Sequence, residues 1–240
     1  MTIASQSGFL LVNKPAGPTS FGTVATIKRL LPRGTKVGHT GTLDDFASGL
    51  LIICIGRQAT RQSSSLMNAE KEYVVKAKLG ELRDSLDWTG KITQTMPFEH
   101  VTEKELIAAM RSLQPSYLQI PPVYSALKHN GSPLYKLARY NHMEFEALEK
   151  IVQDKGREVQ IKEIELVEFK PPFFTIRAVV SKGTYVRSLA NDIAQRVNCV
   201  ATTYELERTR IHDFSLNKAI HQAEIKHFDD IQKALLPLCL

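Results

Sequence analysis

The chain has 240 residues, of which 43% are hydrophobic and 8% aromatic, enough to bury a substantial core. Lysine and arginine outnumber aspartate and glutamate by 31 to 25, and the net charge of +6 favours a polyanionic partner without establishing one. Three distant cysteines, Cys54, Cys199 and Cys239, argue against a disulfide framework and a zinc knuckle, and no segment is apolar for long enough to span a bilayer. We therefore expect a soluble, cytoplasmic protein formed by a single domain over residues 1–240.

The first half of the chain alternates between strand and helix patterns. Thr19 and Ser20 supply a cap for the first helix, and Pro32 and Gly34 end it. The patterns predict strands at residues 8–13, 50–55 and 73–79 and helices at residues 20–31 and 58–67.

The second half opens with a helix that Thr102 and Glu105 begin as a capping box. A polar, charged stretch at 129–156 then leaves the core, and we expect it to be mobile. Beyond it the patterns predict strands at residues 157–169, 173–181 and 202–211 and helices at residues 185–197 and 218–234. These elements predict an α+β fold with a central mixed, mostly antiparallel sheet flanked by helices.

One loop, Gly-His-Thr-Gly-Thr-Leu-Asp-Asp at 38–45, places carboxylates directly before the apolar run at 50–55. Its glycines allow backbone conformations that other residues avoid, as is common where a loop positions a reactive group. Asp44 is therefore either a nucleophile or a base, or a turn residue that accepts hydrogen bonds from backbone amides. Considered by itself, the loop favours the interpretation of Asp44 as a turn residue.

Three further segments could carry chemistry. Arg187 lies in the first turn of a predicted helix, where its charge opposes the helix dipole, so we expect an anionic partner nearby unless the side chain is solvated. Tyr73 either stacks on a nucleobase or fills the core. The stiff segment at 119–128 carries a tyrosine and a lysine, and its alternative interpretation is an edge strand.

Taken in order, five segments resemble the TruB family of tRNA pseudouridine synthases: residues 12–20, 38–44, 71–73, 119–128 and 181–187. The resemblance covers nearly the whole chain, and the Gly-His-Thr-Gly-x-Leu-Asp loop is its most specific motif. It implies the pseudouridine synthase fold, with the active site in a cleft. It also implies isomerisation of uridine 55 in the TΨC loop of tRNA, with neither cofactor nor metal.

The resemblance assigns three catalytic residues. Asp44 matches the family's catalytic aspartate, which either adds to C1' of the sugar or abstracts a proton to form a glycal. Arg187 matches the arginine that pairs with this aspartate and would keep it charged in a closed pocket. Tyr73 matches the tyrosine that stacks on the target base, and its hydroxyl is a candidate for handling the C5 proton.

The resemblance also assigns residues that bind the substrate, because the target base must be flipped out of the folded tRNA. His39 matches a histidine that holds the flipped arrangement, although a lone histidine in a loop is more often a capping or core residue. Lys14 and Pro15 match a segment that supports the active-site loop. Tyr185 lies beside the arginine in the family's cleft, and Leu206 matches an apolar pocket wall. The excursion at 129–156 matches an insertion that closes over the RNA stem-loop.

The chain departs from the family pattern in two places. Bacterial members commonly have proline after the catalytic aspartate, whereas this chain has Asp45, a second negative charge beside the first. The family also usually appends an RNA-binding PUA domain, and residues 235–240 are too few for one. We therefore expect a form without a PUA domain that binds the TΨC stem-loop of tRNA as a monomer, without a membrane or an obligate protein partner.

Two other functions use the same features. A protein that opens and reanneals the tRNA elbow could assist folding without isomerisation, and the synthase itself could do both. A relative that serves as the catalytic subunit of a guide-RNA ribonucleoprotein is a third class, but such proteins rely on an RNA-binding C-terminal domain. The set of Asp44, Tyr73 and Arg187 favours the free-standing enzyme.

Overall fold

The computed structural model of the chain describes residues 7–140 and 143–238. The chain divides into two compact units, one formed by residues up to 74 and from 206 onward, the other by residues 75–205. Two strands, Lys71–Leu79 and Ala201–Ile211, belong to both units because each runs across the division. Cys239, one of the three cysteines, lies outside the described residues. The single-domain organisation stays a prediction.

The amino-terminal elements form most of the first unit. Thr19 caps the first helix by accepting a hydrogen bond from the Gly22 amide at 2.8 Å, as the sequence predicts. The elements are the strands β1 (Gly8–Lys14), β2 (Val37–His39), β3 (Ser48–Ile55) and β4 (Lys71–Leu79) and the helices α1 (Ser20–Leu30) and α2 (Arg57–Asn68).

The second unit contains the elements from β5 to α6. Its first helix begins with the predicted capping box, in which Thr102 accepts from the Glu105 amide and Glu105 accepts from the Thr102 amide. The strands are β5 (Glu81–Arg83), β6 (Ile92–Thr95), β7 (Ser116–Gln119), β8 (Lys128–His129), β9 (Ser132–Pro133), β10 (Arg157–Lys170) and β11 (Phe173–Val180). The helices are α3 (Glu103–Ser112), α4 (Leu134–Tyr140), α5 (Phe145–Gln153) and α6 (Val186–Gln195).

The carboxyl-terminal elements return to the first unit. They are the strands β12 (Ala201–Ile211), β13 (Phe214–Ser215), β14 (Ile220–His221) and β15 (Leu235–Pro237) and the helix α7 (Phe228–Ala234). The predicted helix at 218–234 is wrong over its first half. Ile220 and His221 instead pair in parallel with Val12 and Asn13 of β1. A short 3-10 helix follows at Gln222–Glu224, and the α-helix begins only at Phe228.

The buried strand β3 organises the sheet of the first unit. Its apolar run pairs antiparallel with β1 from Gly8↔Ile55 to Lys14↔Gly49, and β2 pairs antiparallel with its carboxyl-terminal residues, from Val37↔Ile55 to His39↔Ile53. The strand order is β14-β1-β3-β12-β4, in which β3–β12 and β1–β14 are parallel. One apolar cluster packs on this sheet and comprises Phe9, Leu11, Leu50, Ile52, Cys54, Ala59, Leu66 and Ile211.

The second unit has the strand order β12-β4-β11-β10-β7. The hairpin β10–β11 is antiparallel, as the sequence predicts, and β7 pairs antiparallel with the start of β10. Leu189 and Ile193 of α6 are fully buried, as predicted. The α+β class and the mixed, mostly antiparallel sheet are therefore confirmed.

The structure shows how the segment at 119–128 and the excursion at 129–156 fold. Strand β7 ends at Gln119 and the next strand begins only at Lys128, so the edge strand expected at 119–128 is wrong. The excursion carries α4 and α5, apart from residues 141–142, which lie outside the described residues. Both helices pack on an apolar cluster of their own: Val123, Leu134, Leu137, Leu148 and Val152. Its mobility stays a prediction. Across the part of the chain described here, no helix is long and apolar enough to cross a membrane.

Gly49 marks the closest approach of two strands. Its φ is +106°, and a Cβ atom there would lie 2.4 Å from the Arg208 carbonyl oxygen of β12. We predict that Gly49→Ala lowers the free energy of unfolding by about 3 kcal/mol or more, because it adds a backbone clash to an unfavourable φ. Urea denaturation followed by circular dichroism measures this change.

The matched control is Gly17→Ala. Gly17 has a similar φ of +109°, but no atom lies within 4 Å of the position that a Cβ would take. This substitution should lower the free energy of unfolding by only about 1 kcal/mol, because alanine at a positive φ is unfavourable but meets no clash. Equal losses in the two variants would show that the approach of β12 to β3 does not constrain Gly49.

Candidate active site

The loop that carries Asp44 joins β2 to β3 and is fixed at both ends. The Thr40 amide donates to the Ile52 carbonyl at 3.1 Å, and the Ala47 amide donates to the Asp44 carbonyl at 3.1 Å. In the middle, the Ser20 hydroxyl both accepts from the Leu43 amide at 2.8 Å and donates to the Leu43 carbonyl at 3.0 Å. The loop backbone is therefore held by hydrogen bonds from two separate elements.

Lys14 supports the loop from β1. Its side chain is fully buried, and its Nζ donates to the carbonyls of Pro15 and Pro18, both at 2.9 Å, and to that of Asp45 at 3.5 Å. The Gly17 amide donates to the same Asp45 carbonyl at 2.7 Å. Lys14 thus lies directly beside the loop, with Pro15 next to it in the chain. The roles that the family resemblance implies for these two residues stay predictions.

Arg208 binds the loop from β12. Its side chain is 1% exposed, and its guanidinium donates to the carbonyls of Leu50 at 2.8 Å, Gly41 at 3.1 Å and Thr42 at 3.5 Å. Among the described residues it forms no ion pair. A buried charge without a counterion costs several kcal/mol, so the carbonyl dipoles that surround Arg208 must offset this cost.

Lys71 is a third buried cation in this unit. Its Nζ donates to three carbonyls at the end of α2: Ala69 at 2.7 Å, Met67 at 3.0 Å and Leu66 at 3.4 Å. A cation at a helix carboxyl end complements the helix dipole. Burial lowers the pKa of Lys71 to about 8, and the charge of Arg208 acts in the same direction.

The other titratable groups around the loop respond to the same burial. Burial lowers the pKa of Lys14 to about 8, against the opposing influence of the Asp45 and Asp44 carboxylates. Burial and the charge of Arg208 also lower the pKa of His39, whose Nδ1 accepts from the Gly41 amide at 3.2 Å. A neutral His39 ring therefore carries its hydrogen on Nε2, which is left to contact a ligand.

Asp44 itself is half-buried, whereas its neighbour Asp45 is exposed. The carboxylates of both influence Lys14, so both lie close to this buried cation. Asp45 contributes to the loop through its backbone carbonyl rather than through its side chain.

Tyr73 and Leu206 complete the predicted residues of the first unit. Both are buried, with 8% and 6% of their surface exposed, and they lie on β4 and β12. Among residues 7–140 and 143–238, no group forms a hydrogen bond with the Tyr73 hydroxyl. The hydroxyl is therefore available to a ligand. Burial by itself is also what a core tyrosine would show.

Tyr185 and Arg187 lie together at the start of α6 in the second unit. The expected anionic partner of Arg187 exists, because its Nη1 lies 3.2 Å from an Asp87 carboxylate oxygen in a buried ion pair. The guanidinium also donates to the carbonyls of Ser85 and of Tyr124, the latter at 2.9 Å. The pairing of Arg187 with Asp44 stays a prediction.

Sequence reasoning missed the roles of Arg208 and Asp87. Arg208 could have been found, because strand alternation places it on the same buried face of β12 as Leu206, and an arginine on a buried face indicates a specific partner. Asp87 gave no signal, since it lies 100 residues from Arg187. Within the described residues, no group of three or more histidine, cysteine or acidic side chains could hold a metal ion.

Solved structures share this fold. The chain aligns over 96% of its length with a structure described as an H/ACA RNP bound to a substrate RNA containing 2'-deoxyuridine, with a TM-score of 0.67 and 26% identity. A structure of a Cbf5-Nop10-Gar1 complex gives a TM-score of 0.68 and 28% identity over 96% of the chain. The chain spans 59% and 60% of those two chains, about three-fifths of each.

Sequence comparisons identify the class as pseudouridine synthase. A family model described as "TruB family pseudouridylate synthase (N terminal domain)" matches residues 28–186. The tRNA pseudouridine synthase B of Bordetella avium is 42% identical over 96% of this chain and 91% of its own length. That of Clostridium tetani is 38% identical over 96% and 76%. The chain therefore belongs to the TruB family of pseudouridylate synthases.

The lowered pKa of Lys71 predicts a pH dependence of stability. In the unfolded chain its pKa is near 10.4, so between pH 8 and 10 the unfolded state binds more protons than the folded state, and stability rises with pH. We predict that wild type gains about 2 kcal/mol over this interval relative to Lys71→Met.

Urea denaturation at several pH values measures both proteins. The control is Lys104→Met, which removes an exposed lysine of α3 and should leave the pH dependence as in wild type. Parallel stability curves for wild type and Lys71→Met between pH 8 and 10 would contradict the prediction.

Proposed function

We propose that this protein converts uridine 55 in the TΨC loop of tRNA to pseudouridine. Membership of the TruB family and the tRNA pseudouridine synthase B relatives support this assignment. The observation that carries it is the Asp44 loop, in which a half-buried carboxylate stands on a backbone fixed by Ser20, Lys14 and Arg208. Such a fixed carboxylate suits a reaction at a single sugar carbon.

In the proposed reaction, Asp44 acts on the sugar of the flipped uridine. The C1'–N1 bond breaks, the base turns, and C5 bonds to C1'. C5 then loses its proton and N1 takes one up, so the net reaction is an isomerisation. The carboxylate either adds to C1' and later leaves, or abstracts a sugar proton to give a glycal. The buried cation of Lys14 lies close enough to Asp44 for the two charges to interact.

The remaining residues take the roles that the family pattern implies. Tyr73 stacks on the target base, and its hydroxyl, which bonds to no group in the described part of the chain, is available for the C5 proton. His39 holds the flipped arrangement, for which its neutral ring offers Nε2–H as a donor. Arg187 pairs with Asp44, Tyr185 lies beside it, and Leu206 forms an apolar wall. The reaction needs neither cofactor nor metal.

The proposed partner is the TΨC stem-loop of tRNA. The net charge of +6 suits a polyanion, and the helices of the excursion, α4 and α5, are proposed to close over the RNA. We propose that the enzyme acts in the cytoplasm as a monomer, without an obligate protein partner. It is free to assist tRNA folding as well, because flipping requires the elbow to open.

The first prediction of this proposal concerns Asp44. A tRNA transcript tritiated at uridine C5 should lose label with wild type, and Asp44→Asn should abolish the release because an amide is neither nucleophile nor base at this site. Binding of the tRNA, measured by filter retention, should survive this substitution.

The matched control is Asp45→Asn, the same change at the adjacent exposed carboxylate. It should keep most of the activity, since Asp45 serves the loop through its carbonyl. Release of label by Asp44→Asn would overturn the catalytic assignment. No release by wild type, with no guide RNA added, would favour a folding protein or a guide-dependent subunit.

A second prediction concerns salt. Each phosphate contact releases counterions, so the affinity for tRNA should fall linearly on a logarithmic scale of salt concentration. Measured with the inactive Asp44→Asn protein, so that the RNA is unchanged, the dissociation constant should rise at least about tenfold between about 50 and 200 mM salt. An affinity that does not depend on salt would argue against an electrostatic RNA interface.

A further inference from the structure

The segment from β7 to Tyr124 contacts the first turn of α6 at three successive points. The Gln119 side chain binds the backbone of Tyr185. The Ser188 hydroxyl donates to the Ile120 carbonyl at 3.1 Å, and Arg187 donates to the Tyr124 carbonyl at 2.9 Å. The stiff Pro-Pro pair lies between these contacts, so the segment offers the start of the helix a rigid surface.

Gln119 makes the most specific of these contacts. Its side chain is 1% exposed, and its Oε1 accepts from the Tyr185 amide at 2.7 Å while its Nε2 donates to the Tyr185 carbonyl at 3.1 Å. The same Nε2 donates to the Tyr117 hydroxyl at 2.6 Å. One buried amide thus binds both the donor and the acceptor of a single peptide residue, which a carboxylate or an apolar side chain cannot do.

Asp192, through Tyr117, supports the amide orientation that the backbone of Tyr185 requires. Asp192 lies on α6, and its carboxylate accepts from the Tyr117 hydroxyl at 2.7 Å. Burial raises the pKa of Asp192 to about 6, and in its ionised form the carboxylate can only accept. Tyr117 must therefore donate its one hydrogen to Asp192 and accept from Gln119, which leaves the amide a single orientation.

Helix α6 has no cap of its own that could replace this arrangement. Its N-cap residue is Tyr185, which forms no side-chain capping bond, and its first turn contains no acidic residue. The ring of Tyr185 is covered by the Arg157 guanidinium at 4.9 Å, and Arg157 also donates to the Gly183 carbonyl. The start of the helix is therefore held from outside, by Gln119 at the backbone and by Arg157 at the ring.

We propose that Gln119 is a positioning residue of the active site: its amide, oriented by Tyr117 and Asp192, fixes the backbone of Tyr185 and thereby aims Tyr185 and Arg187. This inference rests on the proposed function, in which those two side chains serve the reaction. The row of hydrogen bonds from Gln119 through Tyr117 to Asp192 gives this inference a specific test. An acid in place of the amide at position 119 should lower kcat, and an amide in place of the acid at position 192 should restore part of that loss.

The central variant is Gln119→Glu, which keeps the shape and removes the Nε2 donor. The new carboxylate faces the Tyr185 carbonyl and adds a second negative charge near Asp192, so kcat for tritium release should fall roughly tenfold or more. The KM for tRNA should change less than about threefold, because the RNA surface is untouched. Gln94→Glu makes the same change at an exposed position on β6 and should leave kcat unchanged.

The second variant, Asp192→Asn, should cost less than about threefold, since the new side-chain oxygen can still accept from Tyr117. The double variant Gln119→Glu/Asp192→Asn should regain at least about threefold in kcat over Gln119→Glu. In it, the Tyr117 hydroxyl donates to the carboxylate introduced at position 119 and accepts from the amide introduced at position 192, and the site again holds one negative charge. If Gln119 did not act through the hydrogen bonds to Tyr117 and Asp192, the losses of the two single variants would be additive.

Hydrogen exchange of the Tyr185 amide, followed by NMR, tests the positioning without relying on activity. Tyr117→Phe removes only the hydroxyl that links Gln119 to Asp192, so it serves as a milder variant if Gln119→Glu does not fold. We expect the Tyr185 amide to exchange at least about tenfold faster in Tyr117→Phe than in wild type. In the control Gln94→Glu its exchange should be unchanged. If wild type releases no label, the proposed function fails, while the exchange measurement still decides the role of Gln119. Additive losses, or unchanged kcat together with unchanged exchange, would overturn the inference.

Discussion

The buried guanidinium of Arg208 is the interaction on which the Asp44 loop depends. A charge with 1% exposure and no ion pair among the described residues is tolerated only if dipoles surround it, and Gly41, Thr42 and Leu50 supply their carbonyls. The loop must therefore keep the path that turns these carbonyls inward. Gly49 permits this arrangement, because any side chain at that position would displace the β12 backbone that delivers the arginine.

In both units, a buried side chain holds a distant segment by hydrogen bonds to its backbone. Lys14 and Arg208 in the first unit, and Arg187 and Gln119 in the second, bind backbone atoms of segments far away in the sequence rather than side chains alone. Side chains bonded to carbonyls constrain the path of a segment without constraining its residue types. The exposed side chains of these segments are then available for substrate, while the backbone stays fixed.

The sequence predicted those structural features that depend on neighbouring residues. The cap at Thr19, the capping box at Thr102 and the apolar run of β3 all act within a few residues, and each was predicted correctly. The bond from Arg208 to Gly41 spans 167 positions, and no local pattern encodes it. The predicted helix at 218–234 was wrong over its first half for the same reason. Ile220 pairs with the distant strand β1, and this pairing overrides a local pattern that is typical of a helix.

Asp45 shows how a departure from a family pattern can be neutral for the loop. Its carbonyl accepts from Gly17 and Lys14, and a proline would offer the same carbonyl. Within the described residues its backbone N–H forms no hydrogen bond, so a proline here would lose none. What distinguishes this chain is then the exposed carboxylate, whose charge acts on Lys14 together with that of Asp44.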